Sequence, residues 1–574
     1  MNYLYVLTAS HIGGGKYAVG YVRAAKNDKT GNHSVVASRS YEIDPATVED
    51  SVKDWFKARP WWISSPDHDT AAFLQAVKTN NFMAVTDFLE ERSPLKNAPM
   101  RDWAISISSS HVAPSGTPMD APSVLAMSIA MVDIAQWAAE QLVCARTIHT
   151  ALVPEVSVNY VAPNTLVVRQ MLSAYHKAVD PETIVFERKK LLASVYNVIS
   201  KRTYDEAGKS GLLGVLAAFA KDNSIKESHM VKCADVDLKV NIAGLNMEAR
   251  PGVYPRNGRR LLYFDFSRMY PQVVRHCRLY PKSYGYRWLK MFDTFVVSGI
   301  TAKAERKDLS DYLKLGTNAE LGFAQYDDAQ FTSIVFTLAQ IVMADLLLSL
   351  AKECPSLSIL QVATDGAIVS YEGDLDTGFL LGYRPPLPRL GREPLRLEHE
   401  RLSKLFVKDN SNYIYVNERA SATRKGVFRE WKRTSALTHR SKEQASVSIA
   451  VSHLRDGVAP ETTARMLHRD YFVVPVFANK TTGQVGVGPR RGNPLAIPKD
   501  SSVRVVAVCS GNSLVVDSGD KPIKKSQRDK NPQLFREYIG DSTSVIDKDY
   551  GYYLAKARKL IQSVTGDGKQ REMF

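Results

Sequence analysis

The sequence predicts an α+β protein of several domains. Strand-like runs come in neighbouring pairs joined by tight turns, whereas apolar residues at helical spacing fill separate, longer blocks. The chain has 574 residues, 44% hydrophobic and 24% charged, which is a globular composition long enough for three or four cores.

The first region, residues 1–230, opens on a hairpin. Residues 3–8 and 17–23 read as strands, with Gly13, Gly14 and Gly15 turning between them. The Gly-Gly-Gly-Lys run is not a phosphate loop, because the GxxxxGK[ST] spacing is absent and Tyr17 follows the lysine. Residues 123–143 and 165–179 show helical apolar spacing, and 183–225 is helical and basic. No catalytic constellation stands out here.

From about residue 235 the texture changes. Residues 234–243 and 259–266 are strand-like, separated by the turn-rich PGVYPRNG. A short helix is expected over 269–277, a charged helix over 301–323 and an apolar helix over 330–352, stopped by Pro355. Residues 357–371 read as a hairpin with Thr364, Asp365 and Gly366 at its tip, and 395–427 as further strands. Beyond 430 the pattern is helical to about 470, then short strands to about 517, a basic linker at 521–530 and a last helix over 553–564. The apolar stretch 331–351 contains Asp345 with several Ser, Thr and Gln residues, which fits a buried helix and not a membrane span.

The formal charge of +15 points to a polyanionic partner, nucleic acid first and a membrane surface second. Five widely spaced cysteines with no CxxC pair imply reduced thiols and no zinc site. The N-terminus lacks a basic segment followed by a long apolar one, so a signal peptide is not expected. A cytoplasmic or nuclear setting in a host cell is the expectation.

The chemistry centres on RLLYFDFSRMYP at 260–271. Asp265 ends an apolar strand, where a carboxylate is costly without a partner. A surface aspartate opening a loop is the plainer reading, and a metal ligand is the sharper one. Asp365 supplies a second carboxylate. If the two strands are neighbours, the pair must share a proton or bind a cation, and Mg²⁺ suits oxygen ligands with retained water. Two such ions about 3.5–4 Å apart activate an attacking hydroxyl and stabilise a leaving pyrophosphate. On one continuous helix, Lys303, Lys307, Lys314 and Asn318 would fall within about 60° of each other, a cationic stripe suited to a triphosphate. Glu305, Arg306, Asp308 and Asp311 share that segment, and a solvated charged face is the alternative.

Three ordered motifs resemble the family B (alpha-like) DNA polymerases, nearest in layout to the organellar, viral and protein-primed branch. DFSRMYP at 265–271 is similar to the first palm motif, KLGTNAELG at 314–322 to the fingers motif, and ATDG at 363–366 to the second palm motif. The resemblance implies a right-hand fold: an N-terminal domain (1–230), palm (231–300 and 326–430), short fingers (301–325) and a thumb-like region (431–574). It implies a DNA-directed DNA polymerase using dNTPs on primer–template DNA, in the replication of a virus, phage or plasmid. Replication accessory proteins would be further partners, and no membrane is involved. Asp265, Asp365 and the Phe266 carbonyl would hold two Mg²⁺ ions, with Mn²⁺ as an alternative. Amides at Arg268 and Met269 would cradle the triphosphate, and Tyr270 would exclude a ribose. Lys314, Asn318 and Gly322 would serve from the fingers, with Lys303 or Arg306 as a second cation.

The departures carry weight. Ala363, Gly366, Ala319, Leu321 and Arg268 replace an Asp, a Ser, a Ser, a Tyr and a Ser of the family pattern. The Lys-x-Tyr near the primer end is reduced to Tyr413, with Lys408 or Lys425 as the stand-in lysine. Residues 401–442 carry 11 Lys and Arg, and Lys408, Tyr413, Arg424, Lys425, Arg429 and Lys432 are the expected nucleic-acid contacts. The short gaps between motifs leave no room for the inserted subdomains of the protein-primed branch. Family members carry an exonuclease on a ribonuclease-H-like fold before the palm. Here Thr8 and Ser10 stand where its first acids would be, so an exonuclease-like domain without activity is expected, or else an unrelated N-terminal domain. A primase-like or RNA-making enzyme, and a non-catalytic nucleic-acid-binding subunit, are the alternatives.

Overall fold

The computed structural model describes residues 3–26, 33–59, 61–63, 69–79, 82–84, 121–160, 162–222, 228–241, 244–247, 250–363, 365–375, 377–388, 395–429, 444–472, 474–477, 485–488, 495–497, 502–508, 512–516, 534–537 and 548–566. The chain is α+β and forms two compact units. The first comprises Met1–Val143, Val161–Pro163 and Glu430–Arg558; the second comprises Cys144–Tyr160, Asn164–Arg429 and Lys559–Phe574.

The first unit begins with β1 (Tyr3–Gly13), β2 (Lys16–Lys26) and β3 (His33–Ile43), an antiparallel meander whose first turn is the Gly-rich one expected. After α1 (Asp50–Lys57) comes β4 (Trp61–Ile63), parallel to β1. After α2 (Asp69–Ala76) comes β5 (Phe82–Ala84), parallel to β4. The sheet order is β3-β2-β1-β4-β5. Leu7, Val19, Trp61, Phe73 and Leu74 form its core. Helix α3 (Ala121–Leu152) follows, and its Ser128 hydroxyl donates to the Gly20 carbonyl at 2.8 Å.

The second unit contains α4 (Asn164–Ser173), α5 (Pro181–Ser200) and α6 (Glu206–Asp222), which the sequence reading grouped with the N-terminal region. A small antiparallel sheet follows, made of β6 (His229–Cys233), β7 (Val236–Asn241) and β8 (Gly244–Asn246). The larger sheet starts with β9 (Gly252–Tyr254) and β10 (Arg260–Phe266). Then come α7 (Met269–Cys277), α8 (Gly285–Thr301), α9 (Lys307–Asp327) and α10 (Ala329–Glu353). Strands β11 (Ser358–Val362) and β12 (Gly366–Tyr371) form the expected hairpin. Helix α11 (Gly378–Gly382) leads to β13 (Leu397–Asp409), β14 (Asn412–Asn417) and β15 (Ala422–Arg424). The order is β11-β12-β10-β13-β14-β15, with β9 also on β13 and every pair antiparallel.

One expectation needs correction. Residues 301–323 are not one helix: α8 ends at Thr301, and α9 starts at Lys307 after a non-helical Arg306 (φ −133°). Lys303 therefore sits in the turn between them and not on the α9 stripe. Helix α10 is long and apolar enough to cross a membrane by length and composition, but 83% of its apolar window is buried inside the fold. Asp328 caps it, accepting from the Phe331 amide at 3.1 Å and from the buried Arg188 of α5 at 2.6 Å.

The C-terminal part of the first unit has α12 (Ala445–Asp456), α13 (Pro460–Met466) and a six-stranded antiparallel sheet. Its strands are β16 (Val474–Phe477), β17 (Val485–Gly488), β18 (Leu495–Ile497), β19 (Ser502–Val508), β20 (Asn512–Val516) and β21 (Leu534–Glu537). Helix α14 (Tyr550–Thr565) closes the chain, with buried Tyr553 donating to the Phe472 carbonyl at 2.8 Å. The basic linker at 521–530 lies outside the described residues. The four described cysteines, Cys144, Cys233, Cys277 and Cys354, are buried and form no disulfide with one another.

Candidate active site

Strand β10 is central in the seven-stranded sheet, and side-chain alternation sorts its residues. Leu262, Phe264 and Phe266 are buried on one face. Leu261, Tyr263 and Asp265 lie on the other, where Leu261 and Tyr263 pack with Ile368, Leu402, Tyr413 and Tyr415. In register, Asp265 stands opposite Gly366 of β12 on one side and Glu398 of β13 on the other. Asp365 immediately precedes Gly366, and its carbonyl accepts from the Phe266 amide at 2.7 Å. The two predicted carboxylates therefore belong to adjacent strand ends.

Gly366 has a steric reason. A Cβ there would lie 2.8 Å from Asp265 Oδ1 and 2.8 Å from the Phe264 carbonyl. The serine of the family pattern would occupy the space the Asp265 carboxylate uses. The loop after β10 is pinned as well: the Ser267 amide donates to the Arg396 carbonyl at 3.0 Å, and Gln272 donates to the Ser267 carbonyl. Gln272 also accepts from the Arg396 amide at 2.8 Å.

The electrostatics converge on Asp265. Its carboxyl is pushed up to about 7, first by burial and then by Asp365; Glu398 adds to the rise, while Lys314 and Lys425 oppose it. A carboxylate so disfavoured has a deficit of positive charge around it. Among the described residues no three His, Cys, Asp or Glu side chains form a metal cage. Two carboxylates and the Phe266 carbonyl fit instead a hard divalent ion that keeps water and substrate oxygens in its shell.

Neither a family model nor a curated protein matches this chain. Lys314, Asn318 and Gly322 are exposed on α9, and a Cβ at Gly322 would meet nothing within 4 Å. Lys307 is exposed on the same helix. Lys303 is committed elsewhere, donating to both Glu398 oxygens at 2.6 and 2.7 Å. Arg306 grips Asp308 through two bonds of 3.1 and 3.0 Å. Met269 is buried, and Tyr270 is half-buried with its ring 4.7 Å from that of Phe336. The Arg268 side chain turns into the interior, 5% exposed.

The expected nucleic-acid contacts divide. Arg424 is half-buried, and Lys425 and Arg429 are exposed at the end of the sheet. Of the two stand-in lysines, Lys425 acts on Asp265, whereas Lys408 is paired with Asp409 at 2.8 Å. Tyr413 is 8% exposed and stacks on Tyr415 at 6.3 Å, which stacks on Tyr263 at 5.1 Å, so its ring belongs to the sheet core. Lys432 lies outside the described residues. Sequence reasoning missed Glu398. Its signal was two acids two positions apart, Glu398 and Glu400, near the start of a strand, where alternation puts both on one face.

Proposed function

We propose that the chain is a nucleotidyltransferase of the family B DNA polymerase type, adding dNMP from dNTP to a primer 3′-OH. The observation that carries this reading is the placement of Asp265 and Asp365 at adjacent strand ends, where Asp265 pairs with Gly366 and the Phe266 amide donates to the Asp365 carbonyl at 2.7 Å; Lys314 from α9 and Lys425 from beyond β15 act electrostatically on the same carboxyl. Asp265, Lys314 and Asp365 stand in the three segments that resemble the polymerase motifs, and Lys425 is a stand-in for the missing lysine of the Lys-x-Tyr pattern. The sheet order β3-β2-β1-β4-β5, with three antiparallel strands and two parallel ones, supports the ribonuclease-H-like expectation for the first domain.

Asp265, Asp365 and the Phe266 carbonyl would hold the metal. When bound, divalent ions lower the pKa of the attacking hydroxyl and neutralise charge on the leaving pyrophosphate. The chain's own residues supply the rest. Lys314 draws the triphosphate toward the Asp265 strand end. The open surface at Asn318 and Gly322 leaves room for a nascent pair, and Lys425 and Arg429 meet the backbone of the primer duplex. Tyr270, fixed against Phe336, sits one helical residue after the strand-end loop and would select against a ribose.

Primer extension with Mg²⁺ and labelled dNTPs tests this directly. Wild type should extend, and Asp365→Asn should lose extension by at least about a thousandfold while still retarding primer–template DNA. Extension with rNTPs at the dNTP rate would favour an RNA-making enzyme. Absence of extension with DNA binding intact would favour a binding subunit.

A further inference from the structure

The family pattern has a small residue where Arg268 stands, and the guanidinium is not beside the expected triphosphate cradle. It runs inward, donating through Nη2 to the Ser310 carbonyl at 2.5 Å and to Ser310 Oγ at 3.0 Å. Ser310 Oγ in turn donates to the Gly299 carbonyl at 2.7 Å. Ser310 lies in the first turn of α9, and by helix geometry its carbonyl is also the acceptor for the Lys314 amide. Gly299 lies near the end of α8, where a Cβ would come within 2.4–2.6 Å of the guanidinium. One side chain thus touches the end of α8 and the turn that carries Lys314, from a backbone position three residues after Asp265.

This arrangement is costly. Arg268 has a left-handed backbone (φ 55°, ψ 50°), unusual for a residue with a side chain. Its Nη1 is buried without a hydrogen-bond partner among the described residues. Burial lowers its pKa only to about 10, so the guanidinium stays charged at neutral pH. A strained, half-satisfied cation is the kind of local violation found where geometry is being enforced.

We propose that Arg268 is a positioning residue that fixes the Lys314 turn of α9 relative to the Asp265 strand end, and so sets the separation between the cationic and anionic halves of the nucleotide site; the role presupposes the nucleotidyl transfer proposed above. Arg268→Ser removes the donor. Gly299→Ala keeps Arg268 but places a methyl where the guanidinium now lies, and a flexible side-chain end yields before backbone does.

The test uses both variants and their combination in the full chain. Amide hydrogens over 307–316 should exchange at least about tenfold faster in each single variant. The KM for dNTP in primer extension should rise at least about tenfold, with kcat changed less than about threefold. The double variant should be no worse than the worse single one, because both break the same tie. Arg268→Lys, which keeps charge but loses the planar fork, should fall between. Wild-type exchange and KM in Gly299→Ala, or additive effects in the double variant, would overturn the proposal. If Arg268→Ser does not fold, Gly299→Ala alone decides. A wild type that never extends a primer would remove the functional reading instead, and the exchange measurement would still show whether the tie exists.

Discussion

At the scale of single residues, Asp265 is a liability to the free protein. Its carboxyl titrates near 7 instead of near 3.8, because burial and Asp365 disfavour the charge. The folded state therefore holds a proton that the unfolded chain releases between those values. The cost is absent below about pH 4, grows through the window and is complete above about pH 7. At about 1.4 kcal/mol per unit the upper bound is about 4 kcal/mol; with solvent screening of a partly exposed group, about 2 kcal/mol is the expected effect. Asp265→Asn should thus be more stable than wild type at pH 8 without divalent ions, and no different at pH 4, by urea unfolding. A variant less stable at pH 8 would mean that Asp265 is a structural anchor. The closeness of Asp265 and Asp365 was legible because one ends an apolar strand and the other sits at the tip of a hairpin. The destination of Arg268 was not, since no periodicity tells a strand-end arginine whether to face solvent or a helix joint.

At the scale of elements, what the sequence hid was the α8–α9 turn and the register of β13. Apolar spacing reads the same through 301–323 whether or not a turn interrupts it, and the turn at 302–306, ending on the non-helical backbone of Arg306, separates the two helices. Strand register is likewise set by neighbours distant in sequence. Both unknowns meet in one contact. Glu398, placed opposite Asp265 by register, is neutralised by Lys303 from the turn at 2.6 Å and by Arg396 at 3.5 Å. Like charges opposite each other in a sheet are unfavourable, and this pairing limits the cost. The Lys303–Glu398 pair is exposed, so it contributes at most about 1 kcal/mol to stability. Its effect on the site is more telling. Glu398→Gln removes one of the influences that raise the Asp265 pKa, so the midpoint of Asp265 should move down, while Lys314→Ala should move it up. Carbon-detected NMR titration of the Asp265 carboxyl without divalent ions would read both shifts. Movement in the same direction for the two variants would rule out the present placement of charges. The hairpin at 357–371, by contrast, was legible because a Thr-Asp-Gly turn sits between two short, largely apolar runs, SILQV and GAIVSY.

At the scale of the whole molecule, the ordered motifs lie entirely in the second unit, and the first unit raises a separate question. Its sheet has β1 at the centre, with Thr8 and Ser10 on the same side of the strand by alternation. Neither side chain is available to a metal: Thr8 is 2% exposed with its hydroxyl 3.9 Å from Met131 Sδ, and Ser10 is 7% exposed. The nearby Asp69 is engaged, accepting from the His11 amide at 2.6 Å. Oxygen-rich divalent sites need carboxylates that reach a common point, and here the positions that would supply them are closed by core packing. A labelled primer with a mismatched 3′ end should therefore stay intact in Mg²⁺ without dNTPs. Restoring an acid alone should not help. Thr8→Asp places a carboxylate against a methionine, which costs about 3 kcal/mol unless the group stays protonated. The expected outcome is a destabilised chain by urea unfolding and still no nuclease. Shortening of the labelled strand by the wild type, retained in Asp365→Asn, would locate a hydrolytic centre away from the proposed polymerase site. Gain of nuclease in Thr8→Asp would instead mean that the face of β1 opens more readily than its packing implies.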